Sequence, residues 1–289
     1  MADKLIAVVA GSTGKQGGAV ARGLLARGHK VRAITRDPNS SQSKALANAG
    51  ASLVTASLED RAAIKKALEG ATSLFSVTLP YGGTEGETRQ GIVAADVAKA
   101  AGVHLVFTSV ASANLQTGVP HFDSKYEVEK HIAKIGARAT ILAPASFMEN
   151  LYFIEDQLAK GVYAVPLPPT TALPQVAVAD IGAVAVRVLE DAGRFTGKRF
   201  DIAGDDLDGN EAVAILSRVA GRRFTYFQVP LDVIRQNVGE DAAKMYAWFD
   251  EAGFKVDLAP LRREFPDIAF HNFEAWAKTQ DWNALRSST

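Results

Sequence analysis

An apolar run that ends in three evenly spaced glycines opens the chain. Residues 5–10 are apolar and partly β-branched, and Gly11, Gly14 and Gly17 follow at intervals of three. Apolar residues at helical spacing come next, with Gly28 as a stop. This pattern predicts a buried parallel strand, a tight glycine turn and a helix. Glycines in such a turn let a pyrophosphate approach the N–H groups at the start of the helix.

Short apolar runs and helical segments continue to alternate through the first half of the chain. Further strands are predicted at residues 30–35, 51–55, 73–78, 104–108 and 139–142, and helices at 41–48, 60–68 and 88–101. Alternating units of this size are typical of an α/β fold with a doubly wound parallel sheet. Right-handed crossovers give the strand order 3-2-1-4-5-6, with the ligand at the carboxyl ends of the strands.

The pattern changes after about residue 144. Several prolines in residues 166–170 exclude a helix and predict an exposed loop, and a helix is predicted to begin at Val178. We therefore predict two domains. Residues 1–150 form the nucleotide-binding domain, with residues 178–200 packing back on it. Residues 151–177 and 201–289 form a smaller α/β subdomain on the substrate side.

Composition narrows the classes of function. The chain has 289 residues, of which 47% are hydrophobic, with 32 Lys and Arg against 32 Asp and Glu. This composition predicts a globular protein, and the balanced charge argues against direct binding of nucleic acid. The absence of cysteine excludes disulfides and thiolate chemistry. No metal-ligand spacing and no membrane-spanning run are present, so we expect a cytoplasmic protein without a metal.

Six segments are distinctive when they are taken together. They are residues 11–17, 31–36, 102–109, 121–125 (His-Phe-Asp-Ser-Lys), 147–150 (Phe-Met-Glu-Asn) and 178–182 (Val-Ala-Asp-Ile-Gly). With these segments the chain resembles the NmrA-like family, the atypical short-chain dehydrogenase/reductases, over nearly its whole length. The resemblance implies a Rossmann-type fold, NAD(P) binding and one of two functions. Some members are reductases, whereas others bind the nucleotide as redox-sensing regulators without robust turnover.

The loop after the second strand distinguishes NADP from NAD. An acidic residue there binds a free ribose 2′-hydroxyl, whereas an arginine accommodates a 2′-phosphate. Arg36 comes first and Asp37 follows it, so the signal is mixed. Because similar relatives use an arginine at this place, we predict NADP(H). The predicted cofactor-binding residues are Gly11, Ser12, Thr13, Gly14, Lys15, Gln16, Gly17, Arg36, Ser57, Leu58, Thr78, Leu79, Pro80, Lys125 and Phe147.

Two lysines match the Tyr-x-x-x-Lys spacing that short-chain reductases use to hold the nicotinamide ribose and to donate a proton. Tyr126 and Lys130 match it literally, and His121 and Lys125 match the motif of the resembled family. At about 100° per residue, Lys125 lies near the apolar face of the predicted helix and Lys130 on the opposite face. We therefore predict that Lys125 is the functional lysine.

This choice places a histidine where the tyrosine would stand. His121 is either a proton donor, since histidine titrates near neutral pH, or a residue that only shapes the pocket. Ser109 follows the fifth strand and is the candidate for polarising a substrate carbonyl, with a turn or capping role as the alternative. The predicted catalytic residues are thus Lys125, His121 and Ser109.

The substrate side is less well defined. The predicted substrate-binding residues are Tyr81, in a glycine-containing loop, and Phe147, Met148 and Asn150 after the sixth strand, although Phe147 and Met148 are apolar enough to be core. Such residues favour a small apolar carbonyl or quinone over a sugar phosphate. We predict an NADPH-dependent reductase; the alternative is an NADP(H)-binding redox sensor, which changes conformation or protein partner with the NADPH/NADP ratio.

Overall fold

The computed structural model describes residues 4–78 and 83–282 of the chain. The chain divides into two compact units. The first comprises Met1–Asn114, Pro120–Pro144 and Ile181–Phe200, and the second comprises Leu115–Val119, Ala145–Asp180 and Asp201–Thr289. Pro144 is the last residue of the first unit before the chain enters Ala145–Asp180 of the second, and the predicted domain bounds, with a boundary at residue 150, stay predictions.

Strands and helices alternate along the chain. In chain order the strands are β1 (Ile6–Val9), β2 (Lys30–Thr35), β3 (Ser52–Thr55), β4 (Ser73–Val77), β5 (His104–Thr108), β6 (Ala139–Pro144), β7 (Ser146–Phe147), β8 (Val162–Val165), β9 (Leu173–Val176), β10 (Arg199–Ile202), β11 (Asp205–Leu207) and β12 (Thr225–Gln228). The helices are α1 (Lys15–Ala26), α2 (Ser41–Asn48), α3 (Arg61–Ala67), α4 (Gly83–Ala101), α5 (Pro120–Ile135), α6 (Glu155–Ala159), α7 (Val178–Glu190), α8 (Ala192–Phe195), α9 (Gly209–Val219), α10 (Leu231–Asn237), α11 (Glu240–Trp248), α12 (Leu258–Glu264) and α13 (Phe273–Ala277).

The main sheet has the strand order β3-β2-β1-β4-β5-β6-β10. All pairings among its first six strands are parallel. The predicted order and the Rossmann-type doubly wound fold are therefore confirmed, and β10 extends the sheet beyond β6. Because the strands are parallel, the loops after β1 to β5 all lie along one edge of the sheet.

The central strands are buried on both faces. Val8 and Val9 on β1, and Val106 and Phe107 on β5, are adjacent pairs on opposite faces of the sheet, and all four are 0% exposed. Helices cover both faces of a parallel sheet, which is why these strands read as continuous apolar runs rather than as alternating ones.

Helices α4 and α5 pack closely at a single glycine. A Cβ atom at Gly91 would lie 2.4 Å from Cγ2 of Val128, so only glycine allows this approach. The Thr88 hydroxyl also donates to the Ser124 carbonyl oxygen across the two helices, at 3.3 Å. Each helix connects two neighbouring parallel strands, so α4 and α5 run in the same direction. Glu87 precedes Gly91 by four residues, and Ser124 precedes Val128 by four, so each lies about one turn before this contact. The packing thus brings these two residues to the same height.

The second unit contains a three-stranded sheet, β11-β9-β7, and a two-stranded sheet, β12-β8. The prediction of an exposed loop at residues 166–170 is wrong for its first half. Leu167 is only 2% exposed, and its carbonyl oxygen accepts a hydrogen bond from the Tyr226 hydroxyl at 2.6 Å. Strand β7 has two residues and β11 has three, too few for a sequence period to appear.

Candidate functional site

The glycine turn after β1 has no room for side chains. Gly11 has a φ of 67°, and a Cβ atom there would lie 2.4 Å from Cγ1 of Val77. A Cβ atom at Gly17 would lie 2.3 Å from the Gly11 carbonyl oxygen. Gly14 precedes the first turn of α1 and is exposed, and among the described residues no side chain caps the helix there. The N–H groups of that turn are therefore presented to a ligand.

A cavity of ≈ 420 Å³ opens beside this turn. That volume lies within the range of small-molecule sites, roughly 300–1,000 Å³. All of its lining residues belong to the first unit: Gly11, Thr13, Gly14, Ile34, Thr35, Arg36, Ala56, Ser57, Leu58, Glu59 and Gln90. The cavity thus follows the carboxyl ends of β1, β2 and β3. The glycine turn and the cavity together fit a dinucleotide.

The remaining predicted residues of the glycine segment do not line this cavity. The Ser12 hydroxyl is 1% exposed and donates to the Ile34 carbonyl oxygen at 2.8 Å, so its side chain joins the turn to β2. Lys15 is exposed, and Gln16 is half-buried with its Oε1 atom unpartnered among the described residues. Gly17 lies beneath the turn. Any contact of Ser12 with a nucleotide would therefore use its backbone.

The two charged residues after β2 have different surroundings. Arg36 lines the cavity. The Asp37 carboxylate instead accepts the backbone N–H of Asn39 at 2.8 Å, a short turn that engages the acid locally. Of the two charged residues that made the sequence signal mixed, Arg36 therefore lines the cavity and Asp37 forms a turn.

Lys125 lies against a buried carboxylate at the carboxyl end of β4. Its Nζ atom donates to Oε1 of Glu87 at 2.8 Å and to the Thr78 hydroxyl at 2.9 Å. The Lys125 side chain is 13% exposed, and that of Glu87 is 4% exposed. The Thr78 hydroxyl in turn donates to Oε1 of Glu87 at 3.0 Å. We refer to Lys125, Glu87, Thr78 and Ser124 as the lysine cluster.

Both oxygens of the carboxylate in the lysine cluster accept hydrogen bonds. Ser124 donates to Oε2 of Glu87 at 2.7 Å, in addition to the two bonds at Oε1. Burial alone would raise the pKa of Glu87, but the Lys125 ammonium and the hydrogen bonds outweigh it and hold the pKa below its ordinary value. The cluster therefore contains a charged pair with a carboxylate that stays ionised at neutral pH.

The other candidate lysine faces outward. Lys130 is 50% exposed, pairs with Glu127 at 2.5 Å and lies 5.4 Å from the centre of the Tyr126 ring. His121 lies one turn before Lys125 on α5, is half-buried and packs edge-on against Phe122 with ring centres 4.7 Å apart. The structure thus separates the two lysines by burial and charge environment. The catalytic roles of Lys125 and His121 stay predictions.

Ser109 belongs to a different network. It is 3% exposed, and its hydroxyl donates to Oε1 of Glu129. Glu129 also pairs with Arg199 at 3.0 Å, and Arg199 donates to the Val110 carbonyl oxygen at 3.1 Å. The hydroxyl that was predicted to polarise a carbonyl is therefore engaged with a buried ion pair. It would have to leave Glu129 before it could donate to a substrate.

The predicted substrate residues after β6 belong to the second unit. Met148 is 0% exposed and packs in the core of that unit, whereas Phe147 and Asn150 are half-buried. Between them, Glu149 accepts the backbone N–H of Val178 at 3.1 Å and the indole N–H of Trp276 at 3.1 Å. This segment therefore anchors the start of α7, and the core alternative fits Met148 better than the substrate one.

Three predicted site residues, Leu79, Pro80 and Tyr81, lie outside the described residues. Among the residues that are described, no group of three or more histidine, cysteine or acidic side chains is arranged to hold a metal ion. In the same part of the chain, no helix combines the length and apolar character needed to cross a membrane.

Sequence reasoning missed the acidic and amide residues that α4 contributes. Glu87 and Gln90 are 3% and 8% exposed, and Glu87 shares a buried helix face with Gly91, Ala94 and Ala98. A carboxylate on an otherwise apolar face is a signal that could have been read, because such groups are buried only when they are paired. The helix was predicted to begin at residue 88, which left Glu87 outside it.

The chain is similar over most of its length to oxidoreductases and to a transcriptional regulator. The chain is 30% identical, over an alignment 311 positions long, to the NmrA-like family domain-containing oxidoreductase malD of Malbranchea aurantiaca, with 92% of this chain and 91% of that protein covered. The solved structure of NADPH-dependent quinone oxidoreductase QOR2 of Escherichia coli with NADPH is 26% identical, with a TM-score of 0.79 over 95% of this chain and 99% of that one. The structure of NmrA, a negative transcriptional regulator, with NADP has a TM-score of 0.79 and 21% identity over 97% of this chain and 99% of that one.

The family model describes the chain almost from end to end. The model of the NmrA-like family matches residues 2–276. This match includes the glycine turn, the lysine cluster and most of the second unit. As the resemblance predicted, the chain belongs to the NmrA-like family.

Proposed function

We propose that the protein is an NADPH-dependent reductase of a small apolar carbonyl or quinone. The observation that carries the proposal is the lysine cluster, because it holds an ammonium group at the same sheet edge as the glycine turn. Oxidoreductases among the relatives, and a quinone oxidoreductase among the solved structures, support the same reaction class.

The residues of the first unit fit the dinucleotide in a defined order. The glycine turn and the first turn of α1 would hold the pyrophosphate, and Arg36 the 2′-phosphate of the adenosine ribose. Lys125 would hydrogen-bond the nicotinamide ribose. NADPH, when bound, supplies the hydride; the protein's part is to hold the ring against the substrate and to provide a proton. His121, one turn from Lys125, is the candidate for that proton.

The proposal is tested by measuring NADPH oxidation with a panel of quinones, enones and aryl aldehydes. The loss of absorbance of the reduced nicotinamide reports the reaction. Turnover on at least one apolar acceptor is the expected result. Tight NADPH binding without oxidation on the whole panel would contradict the reductase and favour the second candidate.

That second candidate is a sensor of the NADPH/NADP⁺ ratio. The engagement of the Ser109 hydroxyl with Glu129 favours it, because the expected carbonyl donor is then occupied. NmrA, the transcriptional regulator with NADP, has the same fold. A sensor predicts different protease protection or partner binding with NADPH and with NADP⁺, whereas a reductase needs no such difference.

Replacement of Arg36 should change the cofactor preference. Arg36→Ala removes a charged donor from the cavity, and hydrogen bonds to charged groups contribute roughly 1.5–3 kcal/mol. We therefore expect NADPH affinity to fall by about 10- to 100-fold, with little change in NADH affinity. Titration of intrinsic fluorescence with each nucleotide measures both constants.

The matched control for Arg36→Ala is Lys30→Ala, which removes a cation from the other end of the same strand, where the residue is exposed. Lys30→Ala should bind both nucleotides as the wild type does. Equal losses of NADPH and NADH affinity in Arg36→Ala would contradict a role at the 2′-phosphate.

A further inference from the structure

The buried carboxylate of Glu87 belongs to the lysine cluster, but the reductase proposal gives it no role of its own. Glu87 lies on α4, one residue before the predicted start of that helix. Three side-chain donors converge on the carboxylate: Lys125, Thr78 and Ser124. A buried ion costs several kcal/mol unless it is paired, so an uncharged residue would stabilise this position more simply. The retained charge points to a role beyond packing.

The acceptors of the Lys125 ammonium group account for two of its N–H donors. An ammonium group has three N–H donors. One donates to Glu87 and one to the Thr78 hydroxyl. Thr78 itself donates to Glu87, so its oxygen can only accept from the lysine. Among the described residues, the third N–H has no acceptor. Two bonds therefore define the direction in which the third donor points.

We propose that Glu87 is a positioning residue that holds the Lys125 ammonium group, with its single remaining donor directed to the nicotinamide ribose of NADPH. The proposal rests on the proposed function, because it takes Lys125 as the residue that meets the cofactor. It adds to that function a requirement on α4: Glu87 acts through Lys125 and does not touch the cofactor or the substrate.

The helix packing provides the precision that such a role needs. Gly91 and Val128 set the distance between α4 and α5, and Glu87 and Ser124 stand one turn before them on the two helices. Ser124 in turn donates to Oε2, which fixes the carboxylate on the side away from the lysine. Residues of α5 therefore bind both oxygens of the carboxylate, and the carboxylate in turn fixes the position of the Lys125 ammonium group.

The decisive variants form a double-mutant cycle of Glu87→Gln and Lys125→Met. The readouts are NADPH affinity, kcat and KM, the unfolding midpoint, and the rate of acetylation of Lys125 by acetic anhydride in the cofactor-free protein, located by mass spectrometry. The acetylation rate requires neither NADPH nor turnover. In Glu87→Gln the amine loses its charged partner and is held less firmly, so it is more available to the anhydride.

We expect Glu87→Gln to lower NADPH affinity or kcat on the order of tenfold and to raise acetylation of Lys125 several-fold. In the Lys125→Met background, Glu87→Gln should cause no further loss of NADPH affinity, because the residue through which it acts is gone. Glu85→Gln is the matched control: it removes the same charge two residues earlier on α4, where the side chain is 91% exposed. It should leave every readout unchanged.

Ser124→Ala is a milder variant for the case that Glu87→Gln does not fold. It removes the hydrogen bond at Oε2 and leaves the ion pair, so the same changes should appear at smaller amplitude.

Three outcomes would overturn the proposal. A lower unfolding midpoint for Glu87→Gln with unchanged NADPH affinity and unchanged acetylation would show a structural role alone. Equal losses from Glu87→Gln in both lysine backgrounds would show that it does not act through Lys125. If Lys125→Met itself bound and oxidised NADPH as the wild type does, the proposed function of Lys125 would fail, and the role of Glu87 with it.

Discussion

Lys125→Ala is expected to abolish NADPH-dependent reduction, with kcat/KM lower by at least about 100-fold, whereas Lys130→Ala should retain nearly full activity. The two residues are five positions apart on one helix but differ in environment. The Lys125 side chain is 13% exposed against a buried carboxylate, and Lys130 is 50% exposed against a half-exposed one. Steady-state kinetics and NADPH titration of both variants measure the difference.

The same substitution should destabilise the protein. Removing Lys125 leaves Glu87 buried and uncompensated, and breaking such a pair costs roughly 3–5 kcal/mol. The exposed pair of Lys130 and Glu127 contributes under about 1 kcal/mol. Urea unfolding of the two alanine variants tests this directly. Lys125→Met, which keeps most of the side-chain volume, separates the loss of charge from the loss of packing.

The destabilisation should depend on pH in a defined direction. The folded-state pKa of Glu87 is lowered from 4.5, so the ionised pair stabilises the fold fully above that value. The contribution disappears as the pH falls through the lowered pKa. The difference in unfolding free energy between wild type and Lys125→Ala should therefore be largest near neutral pH and shrink as the pH falls below 4.5.

A reversed result would identify the other lysine. If Lys130→Ala lost turnover and Lys125→Ala retained it, the literal Tyr126 and Lys130 spacing would be the functional one. If both variants were fully active, neither lysine would meet the cofactor.

Gly17→Ala is expected to have the second large effect, the loss of both nucleotide binding and stability. Its Cβ atom would lie 2.3 Å from the Gly11 carbonyl oxygen and 3.0 Å from that of Ala10. Both are backbone atoms in the turn after β1, so neither can move without displacing the turn. Overpacking of this kind costs roughly 3 kcal/mol, and the displaced N–H groups no longer match a pyrophosphate.

Thermal unfolding and NADPH titration measure the two losses. Gly193→Ala is the control, because a Cβ atom at Gly193 on α8 would meet no atom within 4 Å. It should stabilise the protein slightly, by about 0.5–1 kcal/mol, through reduced freedom of the unfolded chain. A Gly17→Ala protein with wild-type stability and wild-type NADPH affinity would show that the turn has more space than its geometry indicates.

Local pattern was sufficient for most of the first unit. Strand β2 was predicted at residues 30–35 and lies at Lys30–Thr35, because its burial and flanking breakers are encoded in consecutive residues. Helix α4 begins at Gly83, earlier than the predicted residue 88, and this error left Glu87 out of the site. The strands β7, β9 and β11 of the second unit were not predicted, because runs of two to four residues are too short for a sequence period to appear.

Some features of the candidate site could likewise be predicted from the sequence, and others could not. The periodicity of α5 placed Lys125 toward the apolar face and Lys130 toward the other, since burial of a helix face follows its own spacing. It could not identify the acceptor of Lys125, because Glu87 reaches the lysine from another helix, 38 residues away in the chain. Nor could it reveal that the Ser109 hydroxyl binds Glu129, or that Asp37 turns back on Asn39 and leaves the cavity to Arg36.

The amino-acid order alone was enough for the βα alternation, the parallel sheet, the glycine turn and the family, because each depends on neighbouring residues or on a periodic pattern. Which polar groups meet in the lysine cluster was decided only when helices α4 and α5 came together. Hydrogen bonds between distant segments depend on how closely those segments pack, and that distance is set here by the missing side chain of Gly91 against Val128.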